Sequence, residues 1–231
     1  MMNLHNHTVW SDGTLKPEEI VEEAIKGKLK YIGISDHYET TKTKSISKEY
    51  IGNYIKEITE LKKKYEDKIH LLVGIEIDFS ERTDIENISY DTLNKLDYVM
   101  YEYVQDDFWN GFPLWELLLL RKNIKKPVGL AHNEVGKNFQ DVNLPALMRV
   151  LENNNIFIEL APGVRNSKLG KPYYYFAGPF FKELKQYKIP ISIGSDTHNS
   201  LSEVCNIQDA LNFIENLGLK ENFDKMQSIL E

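Results

Sequence analysis

The chain has 231 residues, and its 35 acidic against 28 basic residues give a formal net charge of −7. No run approaches the roughly 18 apolar residues of a membrane span, and no basic segment precedes an apolar one at the start, so we expect neither a span nor a signal peptide. The single cysteine, Cys205, excludes an intrachain disulfide framework and is typical of a cytoplasmic protein. The acidic balance weighs against general nucleic-acid binding. Length and a hydrophobic content of 42% predict one domain over residues 1–231.

Short apolar stretches alternate with longer amphipathic ones along the chain. Stretches rich in Val, Ile, Leu and Tyr predict seven strands, at residues 3–8, 30–35, 70–79, 97–104, 127–132, 156–160 and 189–194. Apolar residues at helical spacing predict helices at residues 17–27, 47–65, 114–123, 144–153, 178–187, 208–217 and 221–230. This alternation indicates a parallel α/β architecture, either a closed barrel or an open doubly wound sheet.

The first predicted strand carries two histidines on one face. Side chains alternate along a strand, so His5 and His7 point the same way, about 6 to 7 Å apart, and could hold one metal ion. By itself the pattern could equally be a pair of surface histidines. Asp12 follows in a Ser-Asp-Gly turn, at the carboxyl end of the same strand.

Four further strands also end in histidine or carboxylate residues. The residues concerned are Asp36, His37, Glu76, Asp78, His132, Asp196 and His198. Ligand sites of barrels and open α/β sheets collect at the carboxyl ends of the strands. Five strands can converge on one point in a barrel, whereas an open sheet spreads them in a row, so the pattern favours a barrel.

Each of these residues also has an ordinary structural interpretation. A lone His37 or His132 could be a partly buried histidine with satisfied hydrogen bonds, and Asp36 or Asp78 could cap a helix or close a turn. His70, at the start of a strand, is interpreted as structural. Taken together, however, the strand-end residues are hard to explain by chance, and they predict a metal site.

The predicted ligand set is too large for one tetrahedral ion. Five imidazoles and three or four carboxylates, without a thiolate, suit two or three ions of Zn²⁺, Mn²⁺ or Fe²⁺. Two or three ions held together are typical of phosphoester chemistry, in which they polarise phosphoryl oxygens and generate hydroxide.

The motifs HNHT, SDG, SDH, GIEID, AH and GSDTH, taken in order from residue 5 to residue 198, resemble those of the PHP (polymerase and histidinol phosphatase) superfamily, especially its histidinol-phosphatase-like branch. The resemblance implies a distorted seven-stranded (β/α)₇ TIM-like barrel that hydrolyses phosphoesters with metal-activated water. It also implies the ligands. His5 and His7 would bind a first ion with Glu76 and Asp196, which are thereby the predicted catalytic residues. Glu76 would bridge to a second ion bound by His132. The third ion would be held by Asp12, His37 and His198.

The fourth strand departs from the family pattern. Val104 stands where the family usually has a histidine, so the second ion loses an expected ligand, and Glu102, Gln105 or Asp106 could replace it. After the sixth strand, IELAPGVR resembles a family stretch whose basic residue contacts substrate phosphate. The equivalent here is Arg165, which could instead be an exposed loop arginine.

We therefore predict a cytoplasmic metal-dependent phosphoesterase acting on a small phosphomonoester, histidinol-phosphate-like or related. The alternatives are an amidohydrolase-type metal hydrolase and a weakly catalytic metal-binding or regulatory module. The expected partner is a small phosphorylated substrate, without a membrane or nucleic acid. The aromatic residues of the loop 105–115 could shape either a substrate pocket or a subunit interface.

Overall fold

Short parallel strands alternate with helices throughout the computed structural model, which describes residues 1–231. The strands are β1 (Met2–Asn3), β2 (Tyr31–Ile34), β3 (His70–Val73), β4 (Glu76–Asp78), β5 (Val99–Glu102), β6 (Val128–Leu130), β7 (Ile156–Leu160) and β8 (Ile191–Ile193). The α-helices are α1 (Pro17–Lys26), α2 (Ile51–Lys64), α3 (Tyr90–Leu93), α4 (Leu114–Arg121), α5 (Val135–Asn138), α6 (Leu144–Asn153), α7 (Gly178–Leu184), α8 (Leu201–Val204), α9 (Gln208–Leu217) and α10 (Lys220–Leu230). None of these helices combines the length and the apolar character needed to cross a membrane.

The strands form two parallel sheets that backbone hydrogen bonds join into a ring. One sheet has the order β1-β2-β3, and the other runs from β4 to β8 in sequence order. At one junction, Leu4 N donates to Ile193 O at 2.8 Å and His7 N donates to Thr197 O at 2.8 Å. At the other junction, β4 continues directly from β3 after two residues. Because β3 and β4 occupy one position in the ring, the predicted seven-stranded α/β barrel is confirmed.

The predicted elements are present, with shifted ends. The predicted strand 70–79 is interrupted between β3 and β4, and the predicted strand 97–104 ends at Glu102. Tyr103 and Gln105 follow with φ angles of 62° and 61°, which are left-handed and incompatible with a continuing strand. The predicted helix 47–65 begins only at Ile51.

Glycines make room in the barrel interior for the ring of Tyr98. A Cβ atom at either Gly33 or Gly74 would overlap the Tyr98 side chain, which is fully buried and donates its hydroxyl hydrogen to Leu4 O. Tyr54 lies close by and donates to Gly74 O at 2.7 Å. The two glycines therefore allow a large aromatic side chain to fill the space below the polar end of the barrel.

We expect Gly74→Ala to lower the free energy of unfolding by about 1 to 3 kcal/mol, because the added methyl group overpacks the interior against Tyr98. Urea unfolding followed by circular dichroism measures the change. Gly52→Ala, in α2, is the matched control, since its Cβ would meet no atom within 4 Å. That variant should be as stable as wild type or more stable, by up to about 1 kcal/mol. Equal stability of the two variants would contradict this account of the interior.

Candidate functional site

The structure brings all eight predicted metal-ligating side chains together at the carboxyl ends of the barrel strands. These residues are His5, His7, Asp12, His37, Glu76, His132, Asp196 and His198. They fall into overlapping groups of three or four, within which the candidate ligand atoms lie no more than 4.8 Å apart. His132 and Asp196 have φ angles of 28° and 57°, rare for residues with a side chain, and such strain is common at functional sites.

His5 and His7 lie fully buried, side by side, as their spacing predicts. Their Nε2 atoms are 2.9 Å apart. Asp196 Oδ1 lies 3.4 Å from Nε2 of His5 and 3.2 Å from Nε2 of His7. Two imidazole nitrogens and a carboxylate oxygen thus converge on one small volume, an arrangement that suits a cation with mixed nitrogen and oxygen ligands.

Glu76 lies at the centre of the site, buried and surrounded by histidines. Its Oε1 is 3.0 Å from His132 Nε2 and its Oε2 is 3.1 Å from His37 Nδ1, yet neither oxygen has a hydrogen bond of acceptable geometry. His37 Nδ1 also lacks a hydrogen-bond partner. Buried polar groups normally have hydrogen-bond partners. Buried atoms without such partners are expected where the side chains bind metal cations instead.

The charges in the site follow from burial and close contact. Burial alone would raise the pKa of Glu76, but the neighbouring imidazoles of His5 and His132 outweigh it and hold that pKa well below its usual value. Burial lowers the pKa of His37 to about 3, so this ring is neutral, as a metal ligand must be. His132, although buried, has its pKa raised to about 9 by contact with Glu76.

A second cluster lies around Asp12, on the more exposed side of the site. Asp12 Oδ1 is 3.4 Å from His198 Nε2 and 3.6 Å from His7 Nδ1, and its Oδ2 is 3.7 Å from His37 Nε2. The side chain of Asp12 is 24% exposed, whereas that of Glu76 is 1% exposed. The site therefore has one enclosed group of candidate ligands and one that opens toward the cavity.

Glu159, on β7, supports the site and was not among the predicted residues. Its Oε1 lies 3.0 Å from His5 Nδ1, and its Oε2 accepts a hydrogen bond from His132 N at 2.7 Å. A carboxylate can only accept, so His5 carries its proton on Nδ1 and directs the lone pair of Nε2 toward Glu76 and Asp196. The only sequence signal was a single charged residue inside an otherwise apolar strand.

Asp36 and Asp78 point away from the candidate ligands. Asp36 accepts hydrogen bonds from Thr8 N at 2.7 Å and from Ser11 N at 3.0 Å, and so it closes the turn that carries Asp12. Burial raises the pKa of Asp36. Asp78 pairs with Arg82, whose Nε lies 2.7 Å from Oδ2. The turn-closing interpretation therefore fits Asp36.

The fourth predicted strand brings Glu102 to the site. Val104 is buried in the apolar core, Gln105 Oε1 accepts from Leu114 N, and Asp106 accepts from Phe108 N. Glu102, in contrast, is buried with one oxygen 3.6 Å from His37 Nδ1 and the other 3.8 Å from His132 Nε2. Of the three proposed replacements for the missing histidine, Glu102 is the one that reaches the centre.

A cavity of about 700 Å³ opens above the site, and its wall carries both lysines and aromatic rings. The lysines are Lys42, Lys137 and Lys168, and the exposed rings are Phe108 and Trp109. Arg165 does not line this cavity; its Nη1 donates to Gly170 O at 3.0 Å.

The loop 105–115 contributes to two different surfaces. Phe108 and Trp109 face the site, whereas Trp115 lines a separate groove with Phe79 and Leu119.

His70 is exposed at the start of β3 and stacks on Tyr31 at 5.1 Å, away from the other histidines. Its predicted structural role agrees with this position.

The fold is shared with solved histidinol phosphatase structures. The histidinol phosphate phosphatase (HISK) of Lactococcus lactis subsp. lactis Il1403, complexed with zinc, L-histidinol and phosphate, aligns with a TM-score of 0.66 at 17% identity, covering 94% of this chain and 93% of that chain. A candidate histidinol phosphatase, hisK of Listeria monocytogenes, aligns with a TM-score of 0.63 at 18% identity, covering 88% and 97% of the two chains. At such identities the similarity shows the fold.

Sequence comparison finds one relative that matches over a short segment and one protein family that matches over most of the chain. A segment of 77 residues, 33% of this chain, is 34% identical to the DNA polymerase/3'-5' exonuclease PolX of Bacillus subtilis (strain 168), of which it spans only 13%. The PHP domain family, in contrast, matches residues 3–187, which include strands β2 to β7, the second residue of β1 and six of the eight predicted ligands. The chain therefore belongs to the PHP domain family.

Proposed function

We propose that this protein is a metal-dependent phosphoesterase that hydrolyses a small phosphomonoester. The observation that carries the proposal is the buried Glu76 carboxylate, whose two oxygens lack hydrogen bonds and lie among the imidazoles of His5, His37 and His132. Such an arrangement needs cations, and its oxygen and nitrogen donors suit Zn²⁺, Mn²⁺ or Fe²⁺.

The eight clustered residues would hold two or three such ions. The enclosed group would use His5, His7, Glu76, His132 and Asp196, and the outer group would add Asp12, His37 and His198. When bound, the ions would supply Lewis acidity toward phosphoryl oxygens and lower the pKa of water. In this proposal Glu76 and Asp196 are the catalytic carboxylates, because each has a carboxylate oxygen within 3.4 Å of Nε2 of His5 and within 3.4 Å of Nε2 of His7.

The chain's other residues fit the recognition of a small phosphorylated molecule. The cavity of about 700 Å³ is in the usual range for small-molecule sites. Lys137 and Lys168 on its wall offer ammonium groups to a phosphate, and Asp196 and His198 line the same cavity. The Lactococcus enzyme, whose structure was solved with histidinol and phosphate, supports a histidinol-phosphate-like or related substrate. Arg165, as an additional phosphate contact, stays a prediction.

Removal of metal should abolish phosphatase activity, and His37→Ala should lower kcat/KM on the order of 100-fold, because the variant loses a ligand shared by the Asp12 and Glu76 groups. The assay uses p-nitrophenyl phosphate and a panel of phosphomonoesters with Mn²⁺, Zn²⁺ or Fe²⁺, before and after chelation. His70→Ala is the control. It removes a histidine from the same barrel outside the site, and it should retain full activity.

The same assay separates the alternative functions. Hydrolysis of a cyclic amide without phosphatase activity would indicate an amidohydrolase-type enzyme. Bound metal without hydrolysis across the whole panel would indicate a binding or regulatory module. Equal phosphatase activity of wild type and His37→Ala would show that the reaction occurs elsewhere.

Glu159→Gln should lower metal affinity by about 10- to 100-fold, because an amide cannot accept at both of its positions from His5 Nδ1 and His132 N. Isothermal titration calorimetry with Mn²⁺ measures the metal affinity directly. Glu215→Gln is the matched control, since Glu215 is exposed on α9. If both variants bind metal as wild type does, Glu159 does not orient the ligands.

Trp109→Ala should raise KM by about 2- to 10-fold with little change in kcat, because an aromatic contact on the cavity wall is worth about 0.5 to 1.5 kcal/mol. Trp115→Ala is the control. It removes an exposed tryptophan at the start of α4 that lines the other groove. Steady-state kinetics on the best phosphomonoester would show the contrast, and an equal effect of both substitutions would contradict it.

A further inference from the structure

Lys42 reaches the site from the loop between β2 and α2 and pairs with Glu102. Its Nζ lies 2.6 Å from Oε1 and 2.8 Å from Oε2 of Glu102, so one ammonium binds both carboxylate oxygens. The same ammonium donates to the hydroxyl of Tyr103 at 3.2 Å and lies 5.0 Å from the centre of that ring. These contacts hold Lys42 in one defined place.

The pair stands among residues that otherwise form a group of candidate ligands. Glu102, His37 and Glu76 offer ligand atoms within 4.8 Å of one another. Asp12, Glu76 and Asp196, the carboxylates of the other groups, have no lysine as a partner. Glu102 is therefore the one candidate carboxylate that pairs with a lysine of the chain.

The lysine is charged where it stands. Its side chain is 23% exposed and that of Glu102 is 1% exposed. Burial alone would lower the pKa of Lys42, but the carboxylates of Glu102 and Glu76 outweigh burial and raise that pKa above its ordinary value. A divalent ion next to Glu102 would therefore have to displace a bound ammonium and would then be repelled by it.

We propose that the ammonium of Lys42 takes the place of a divalent ion beside Glu102, so that the centre binds two ions instead of three. The inference rests on the proposed metal-dependent function and deepens it. It also accounts for Val104: where the family resemblance leads us to expect a histidine ligand, this chain has a buried apolar residue and, two residues earlier, a carboxylate paired with lysine. The eight predicted ligands then divide between the two ions, one held by the enclosed group and the other by the outer group.

The experiment counts bound ions per chain by mass spectrometry of the metal after equilibrium dialysis against Mn²⁺. Wild type should bind two ions. Lys42→Met should bind a third, or bind it at least about 10-fold more tightly than wild type, because Glu102 is freed. Adding Glu102→Gln to Lys42→Met should return the count to two. Lys44→Met is the matched control, an exposed lysine of the same loop whose Nζ contacts Val9 O, and it should leave the count unchanged.

Glu102→Gln alone gives an independent test, in which Lys42 loses its partner carboxylate but keeps the access to water of a side chain that is 23% exposed. It should keep two ions if Glu102 serves Lys42, and a loss of one ion relative to wild type would overturn the inference. Three ions in wild type, or an unchanged count in a folded Lys42→Met variant, would overturn it as well. Wild type without any bound ion would instead contradict the metal centre itself. Thermal unfolding by circular dichroism verifies that each variant is folded.

Discussion

Both carboxylate oxygens of Glu76 are buried without a hydrogen bond, and burying such a charge is costly unless opposite charges surround it. The arrangement of the site follows from this requirement. Imidazoles of His5, His37 and His132 point at the carboxylate, and their ring nitrogens lie 3.0 to 3.4 Å from its oxygens. The raised pKa of His132 lets that ring supply part of the opposite charge, and the proposed divalent ions would supply the rest. The Asp12 group continues the same arrangement toward the cavity.

The closed barrel makes this concentration of polar groups possible. In a ring of parallel strands, the carboxyl ends face one small region, so side chains far apart in sequence come within bonding distance. His5 Nδ1 and Glu159 Oε1, for example, are 154 residues apart in sequence and 3.0 Å apart in space. Below the site the interior must be filled without voids. Gly33 and Gly74 leave the space that the ring of Tyr98 occupies, and its hydroxyl bonds to Leu4 O next to His5.

The loops that follow the strands contribute the residues that surround the central cluster. The loop after β2 contributes Lys42, which pairs with Glu102 and alters the charge at the side of the site where the family histidine is missing. The loop after β5 contributes Phe108 and Trp109 to the cavity wall, and the helix that follows it contributes Trp115 to a different groove. Loops tolerate such changes because the barrel strands hold the central residues in place. Substrate preference is therefore expected to depend on these loops, and metal binding on the strand ends.

The sequence alone predicted the barrel and the eight clustered residues, from the residues at its strand ends together with the family resemblance of its motifs. Strands can be recognised by their composition and by the alternation of side chains between two faces. In a parallel α/β barrel the functional residues lie at the carboxyl ends of the strands. His5 and His7 lie side by side in the structure because residues two apart along a strand point to the same face. Even the departure in the fourth strand, at Val104, was visible in the chain.

Only the tertiary structure decided which partners support these residues. The pairs His5–Glu159 and Lys42–Glu102 join residues 154 and 60 positions apart, and such contacts depend on the register between strands and on the paths of loops, which leave no periodic signal. For the same reason the sequence did not show that Arg165 binds Gly170 O while Lys137 and Lys168 line the cavity. Local periodicity thus specified the strand ends, whereas packing across the barrel specified the charges around them.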